Sequence, residues 1–283
     1  MSVKILSDST CDLSKELVEK YGIEIIPLHI VLGEKEYLDG VEIGPDEIYE
    51  WSDENKTTPK TSAASISDAM DALEKCEKDF DEMIIFTISG QMSTTVNVMR
   101  MAAEELEIED RVFVIDSENL STGNGLLVLE AAIMAQEGKS GKEIEDAING
   151  LKSRVRASFV VDTLTYLHRG GRCSGVAALA GSALKLHPKI MVENGAMKPD
   201  KKYRGKMKKV ILDYAKELEA QLLAAKKDRV FITHSGCEAE IIDSVKEYLE
   251  SLNYFNEILV TRAGGVVSSH CGSGTLGVLY IEQ

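Results

Sequence analysis

The chain has 283 residues, 44% of them hydrophobic and 28% charged, and a formal net charge of −15. These values suit one large or two ordinary globular domains and exclude disordered and fibrous classes. So acidic a chain is electrostatically opposed to nonspecific binding of nucleic acid or an anionic membrane, unless its charge is unevenly placed.

In chain order, Val3–Leu6 reads as a strand feeding the polar turn Ser7-Asp8-Ser9-Thr10. Ser14 opens a helix that Gly22 stops, as glycine does at helix C-termini. The Ile/Leu/Val-rich run 23–32 predicts one strand, and Pro45 opens a short helix through Trp51. Residues 57–65 form a polar loop in which Ser65 caps the next helix. Met83–Ile88 is apolar on both faces, the signature of a buried parallel strand. Ser89–Ser93 is its exit loop, followed by a helix over 94–106, a strand over 112–115 and helices over 126–136 and 142–155. The second half predicts strands at 159–161, 189–192, 229–233, 257–261 and 277–281 and helices at 177–186, 205–226 and 238–252.

This alternation predicts an α/β fold of two domains with mainly parallel sheets. The division is expected between residues 155 and 165, taken as 1–158 and 159–283. No apolar run reaches the ~18 residues that span a bilayer, and the first residues lack the apolar core of a signal peptide. Five scattered cysteines without CxxC spacing read as free thiols. A cytoplasmic protein is expected.

In open α/β sheets ligands bind outside the carboxyl ends of strands. Ser9, Ser93, Ser117 and the cluster Ser269–Thr275 all fall at such places. Thr61, Ser62 and Ser93 offer uncharged hydroxyl donors for a carboxylate or phosphate, although such residues more often cap helices. In the tail, His270 precedes Gly272-Ser273-Gly274, which permits close backbone approach to an anion, and the imidazole supplies a hydrogen bond or a positive charge. Arg172 follows a glycine pair and suits a carboxylate or phosphate. Lys198–Lys209 holds seven basic residues and one acid, a local +6 that leaves −21 on the rest. Asp8, Asp12 and Asp116 could form an acidic Mg²⁺ cluster, but each reads more simply as a cap or strand terminator. The chain carries no GxxxxGK[ST], nucleophile elbow or HExxH, so P-loop, serine-hydrolase and zincin readings lack support.

Taken together, the ordered blocks resemble the DegV family of bacterial fatty-acid-binding proteins. The blocks are Leu6–Leu13 (LSDSTCDL), Thr61–Ser65 (TSAAS), Ser89–Glu104, Asp116-Ser117 with Gly123-x-Gly125, Leu164–Arg172 and His270–Gly277 (HCGSGTLG). The resemblance covers essentially the whole chain. It implies a two-domain monomer with a ligand cleft at the domain interface, which encloses one long-chain fatty acid and needs no cofactor or metal. The C-terminal domain would form much of the acyl tunnel. It further implies a non-catalytic subunit that presents the carboxylate to an ATP-using fatty acid kinase, which makes an acyl phosphate for phospholipid synthesis. By position, Thr61, Ser62, Ser93 and His270 would hold the carboxylate, and Ser9, Thr94, Ser117 and Gly272 would line the cleft. Arg172, Arg204 and Lys206 would face the kinase or the phosphate.

The chain departs from the family pattern at Ala63-Ala64 (Gln-Pro), Thr94 (Gly) and Ser273 (Pro), which bears on the acyl chain preferred. Two other readings remain open. One is a stand-alone enzyme on a small carboxylate or phosphorylated metabolite, using Asp8, Asp116 and His270. The other is a lipid sensor with a different protein partner. Contact with a membrane would be transient at most, and no nucleic-acid partner is expected.

Overall fold

The structure, a computed structural model, describes residues 2–173 and 186–283. The helix expected over 177–186 lies almost wholly outside the described residues. The first half builds a four-stranded parallel sheet in the order β2-β1-β6-β7, from β1 (Val3–Asp8), β2 (Glu24–Ile26), β6 (Glu82–Thr87) and β7 (Val112–Asp116). A small antiparallel sheet stands beside it, ordered β4-β3-β5, from β3 (His29–Leu32), β4 (Lys35–Leu38) and β5 (Lys60–Ser62). The run 23–32 is therefore two strands rather than one. Pro27 separates them, since a residue without an N–H cannot continue a ladder. The segment expected as a polar loop contains β5, whose Thr61 lies opposite Ile30.

Local chemistry fixes the helices of this half. Ser14 caps α1 (Lys15–Tyr21), accepting from the Leu17 N–H at 3.4 Å, and Gly22 ends it at φ 62°. Pro45 starts α2 (Pro45–Asn55) at a position where its missing N–H costs nothing. Ser65 and Asp68 form a capping box on α3 (Ile66–Glu77), as Ser140 and Glu143 do on α6 (Gly141–Leu151). Between these lie α4 (Thr95–Glu105) and α5 (Thr122–Gln136). Helix α5 begins a turn earlier than expected, and every residue from Thr122 to Leu129 is buried. A helix apolar on all sides belongs inside. Here it packs against β1 and β6 on one side and against the second sheet on the other, within one continuous core. Gly125 allows that fit, because a Cβ there would stand 2.6 Å from the Cys11 carbonyl oxygen.

The second sheet has six strands in the order β10-β9-β8-β13-β11-β12. They are β8 (Val155–Val160), β9 (Leu186–Glu193), β10 (Ala196–Arg204), β11 (Arg229–His234), β12 (Glu257–Arg262) and β13 (Leu276–Ile281). The expected α/β architecture holds, and the first sheet is parallel as expected. The second sheet corrects the expectation of mainly parallel strands, for only β11 and β12 run parallel and the other four pairings are antiparallel. A tight β9–β10 turn at Asn194-Gly195 (φ 51° and 79°) and the reversed course of β13 produce this. The expected division after residue 158 falls inside β8.

Helices α7 (Thr165–Gly170), α8 (Met207–Glu217), α9 (Glu219–Leu222), α10 (Ala239–Ser251) and α11 (Gly265–Cys271) complete the fold. The single helix expected over 205–226 is interrupted at Leu218, whose N–H bonds back to Ala215 O in a tightened turn. The sequence predicts no element between residues 261 and 277, where the structure has α11. Val266 and Val267 are weak helix formers, and the helix is completed by distant acceptors. Asp12 takes the Gly264 N–H and Asp39 the Gly265 N–H, each at 2.8 Å.

Candidate functional site

Helix α11 carries His270 near its C-terminal end, against β5 and α7. Strand β5 presents Thr61, whose Oγ1 lies 2.7 Å from His270 Nε2. Both residues line a cavity of about 410 Å³ that also takes in Ser62, Ser93, Thr94 and Arg172. Its apolar wall includes Leu28, Ile88, Met92, Leu120, Met197, Val266 and Val267. A smaller cavity of about 30 Å³ shares Leu120, Val267 and Cys271 with it and reaches Phe159, Gly277 and Leu279 in the second sheet.

Ser93 sits just before α4. Its Oγ lies 2.8 Å from Thr95 Oγ1 and accepts the Thr95 N–H at 3.3 Å, so it caps the helix while facing the cavity. Three contacts hold its loop. Asp116 accepts the Gly90 N–H at 3.1 Å, Ser89 Oγ donates to Gly195 O at 2.7 Å, and Gln91 Nε2 donates to Asn194 O at 2.6 Å. The tip of the β9–β10 hairpin thus steadies the Ser93 loop, and Met197 on the same hairpin enters the wall. Sequence reasoning missed Gln91, Gly195 and Met197 as parts of this site. Asn-Gly between strand-like runs was the available signal of a hairpin.

His270 is held neutral. Burial pushes its pKa down to about 4, with a smaller contribution from the positive charge of Arg172. Its Nδ1 is buried and has no hydrogen-bond partner among the described residues. Of the two roles open to this residue, the environment favours an uncharged hydrogen-bonding group over a cation. Ser62, though in the wall, turns its Oγ toward Glu36 Oε1 at 3.3 Å. Arg172 is exposed and donates through Nη1 to Gly170 O at 2.8 Å.

Three residues expected in the lining do not border this cavity. Ser9 Oγ donates to Asp39 Oδ2 at 2.7 Å and accepts the Leu28 N–H at 3.2 Å. Ser117 is fully buried and closes a turn on Asn119. Gly272 ends α11 at φ 75°, with its Cα so close to Tyr166 that a Cβ would stand 2.6 Å from the ring. Hydroxyls and glycines at strand ends satisfied the backbone in these cases, which sequence position alone does not distinguish from lining a cleft. Arg204 ends β10 and Lys206 precedes α8, both exposed and outside the cavity wall.

The basic run is partly neutralised. Lys198 pairs with Glu193 (2.7 Å), Lys201 with Glu217 (2.6 Å) and Lys208 with Glu240, while Asp200 is taken by Lys189 (2.8 Å). Lys202, Arg204, Lys206 and Lys209 have no carboxylate partner among the described residues. The acids Asp8, Asp12 and Asp116 act as caps. Asp8 accepts from Thr10 N, Thr10 Oγ1 and Ile88 N at 3.1, 2.6 and 2.7 Å, and Asp116 takes Gly90 and Glu118. Burial raises the Asp8 pKa to about 6 and that of Asp12 to about 8.

Comparison with known proteins shows the family of the chain. A family model described as "Uncharacterised protein, DegV family" matches residues 2–283. A DegV domain-containing protein of Caldanaerobacter subterraneus is 33% identical over 283 residues, covering 99% of each chain. A fatty-acid-binding DegV family structure from Thermus thermophilus superposes with a TM-score of 0.91 at 31% identity, covering 100% of both chains. A stearic-acid-binding protein from Eubacterium ventriosum superposes with a TM-score of 0.85 at 29% identity, covering 99% of this chain and 98% of that one. No described helix is long and apolar enough to cross a membrane.

Proposed function

Since the chain belongs to the DegV family, we propose that it binds a long-chain fatty acid in the 410 Å³ cavity. The carboxylate is held by Thr61, Ser93 and His270, with Ser62 nearby. The acyl tail runs along Leu28, Ile88, Met92 and Met197 toward the smaller chamber behind Cys271. The observation that carries this reading is the Thr61–His270 contact of 2.7 Å inside an otherwise largely apolar cavity. It gives an amphipathic ligand one polar end and one greasy path.

The energetics suit such a ligand. Each buried CH₂ contributes about 0.8 kcal/mol, so a sixteen-carbon tail offers roughly 10 kcal/mol before ordering costs. The tail supplies affinity, and the head group needs only orientation. Uncharged donors orient a carboxylate without neutralising it.

The finer reading is that the protein is a non-catalytic subunit. It presents the carboxylate to a separate kinase, where a carboxylate oxygen attacks the γ-phosphorus of ATP to give acyl phosphate and ADP. The product would feed phospholipid synthesis. Arg172 at the cavity mouth, with Arg204 and Lys206, would face that partner or the phosphate. In this reading the chain acts in the cytoplasm as a monomer of two units, 1–158 and 159–283, and uses no cofactor.

Calorimetric titration with oleate tests the ligand, and addition of ATP and a fatty acid kinase tests the presentation. Oleate binding by the wild-type protein, weakened in Ser93→Ala and His270→Ala, is expected. Binding unchanged in both variants would remove the site assignment. ATP turnover without any kinase would remove the non-catalytic reading.

A further inference from the structure

Gly170 is the last residue of α7 and has an ordinary helical φ, unlike Gly171 after it at φ 66°. Glycine in a helical conformation is worse than alanine by roughly 0.5–1 kcal/mol, so the backbone gives no reason for it. The reason lies across the interface between α7 and α11. A Cβ on residue 170 would stand 2.4 Å from His270 Nδ1, 3.2 Å from its Cε1 and 3.4 Å from its Cγ. Nδ1 is also the ring atom left buried and without a partner among the described residues.

We propose that Gly170 is a positioning residue for the carboxylate site. By pressing its bare Cα against Nδ1 of His270, it keeps water and acceptors from that nitrogen, so the imidazole meets its ligand uncharged and through Nε2 alone. An imidazolium would carry an N–H at Nδ1 with nowhere to donate, at the cost of an unsatisfied buried donor. Among the described residues, the remaining groups facing α11 do not supply Nδ1 with an acceptor. Arg172, from the loop after α7, opposes a positive charge on His270. Thr61, from β5, lies at Nε2 on the cavity side of the ring and does not reach Nδ1. Tyr166 of α7 packs on Gly272, and Tyr49 of α2 bonds Ser235 O at 3.2 Å. Asp12 and Asp39 are engaged at the opposite end of the helix. Resting on the fatty-acid reading, the consequence is that the bound carboxylate keeps its charge and its nucleophilicity.

The test is an NMR titration of histidine-labelled full-length protein, with His270→Gln identifying the His270 signal among the five histidines. In the wild type, His270 stays neutral as a single tautomer down to about pH 4. In Gly170→Ala the ring is displaced, Nδ1 is hydrated and the titration moves up by roughly one unit or more. Oleate affinity falls about tenfold through loss of one well-oriented hydrogen bond. Gly150→Ala, at an open helical position in α6, leaves the His270 titration where it was. A wild-type His270 that titrates at its ordinary value near 6.5 overturns the proposal, even where Gly170→Ala does not fold. So does a Gly170→Ala titration identical to wild type. Failure of wild-type protein to bind oleate, with the titration as expected, overturns the ligand reading and leaves the role of Gly170 standing.

Discussion

The two ends of α11 meet carboxyl groups in different ways. At its N-terminus the protein holds two carboxylates of its own, Asp12 and Asp39, through the Gly264 and Gly265 N–H groups and through Ser121 Oγ (2.5 Å) and Ser9 Oγ (2.7 Å). At its C-terminus the reading above places a carboxylate that comes and goes, met by side-chain hydroxyls and a neutral imidazole. Acceptors built into the chain, buried and bonded to both backbone N–H groups and hydroxyls, suit a permanent structural role, whereas donors on a cavity wall suit a ligand that must enter, be read and remain reactive. The ends also titrate in opposite directions. Asp12 at the N-terminal end has a raised pKa, as does Asp8 beside it on β1, so the folded protein retains protons that the unfolded chain has already lost above about pH 4. Their contribution is therefore present at low pH and lost as pH rises through about 6 and 8. His270 is depressed, so the unfolded chain binds more protons between about pH 4 and 6.5, and stability there falls as pH drops.

This contrast predicts that damage at the N-terminal end appears as stability and damage at the C-terminal end as binding. The largest effect is expected from Asp39→Ala, which leaves the buried Gly265 N–H and the Ser9 hydroxyl proton without an acceptor and costs about 3 kcal/mol. Thermal unfolding should begin roughly 6–10 °C lower. A melting point unchanged by this substitution would break the contrast at its structural end. Next, His270→Ala should lower oleate affinity about tenfold and leave the melting point nearly unmoved, since the ring is part of a cavity wall rather than of a packed core. A melting point that falls as far as that of Asp39→Ala would make His270 structural.

Asp12→Asn gives a subtler signal. The amide can still accept the Gly264 N–H and tolerates the left-handed backbone at this position (φ 51°). Removing the titration should flatten the loss of stability between about pH 4 and 8, measured by melting at each pH. Parallel curves for variant and wild type would show that Asp12 does not titrate in that window. Smallest is the effect of Gln91→Ala. Losing the 2.6 Å bond to Asn194 O should loosen the Ser93 loop and weaken oleate binding severalfold at nearly constant stability.

Much of the architecture was legible because its elements carry local signals. Ser14, Ser65 and Pro45 start their helices where their chemistry says they should, and Met83–Ile88 reads as a buried parallel strand. The elements that were missed lack such signals. Strand β5 is a short polar segment that exists because β3 pairs with it, and α11 depends on two aspartates more than two hundred residues away in sequence. In the candidate site, Thr61, Ser62, Ser93, Thr94, Arg172 and His270 reach one cavity, whereas Ser9, Ser117 and Gly272 serve the backbone around it. Strand-end position marked Ser9, Ser93, Ser117, His270 and Gly272 equally. What separates them is which donor is already satisfied, and that depends on tertiary partners.

The positive run of Lys198–Lys209 shows the same limit. Sequence gives a local +6, but the fold pairs three of the lysines and leaves Lys202, Arg204, Lys206 and Lys209 without a carboxylate among the described residues. If the proposed presentation to a kinase holds, charge reversal at Arg204 and Lys206 should reduce partner-dependent phosphorylation with oleate affinity intact.

The most direct test of the central claim is a crystal structure of this protein with oleate bound. The account predicts a carboxylate within hydrogen-bonding distance of Thr61 Oγ1, Ser93 Oγ and His270 Nε2, with the tail passing Met197 toward Cys271. An acyl chain seated in this cavity with its carboxylate away from all three groups, or a cavity that excludes oleate, would contradict it.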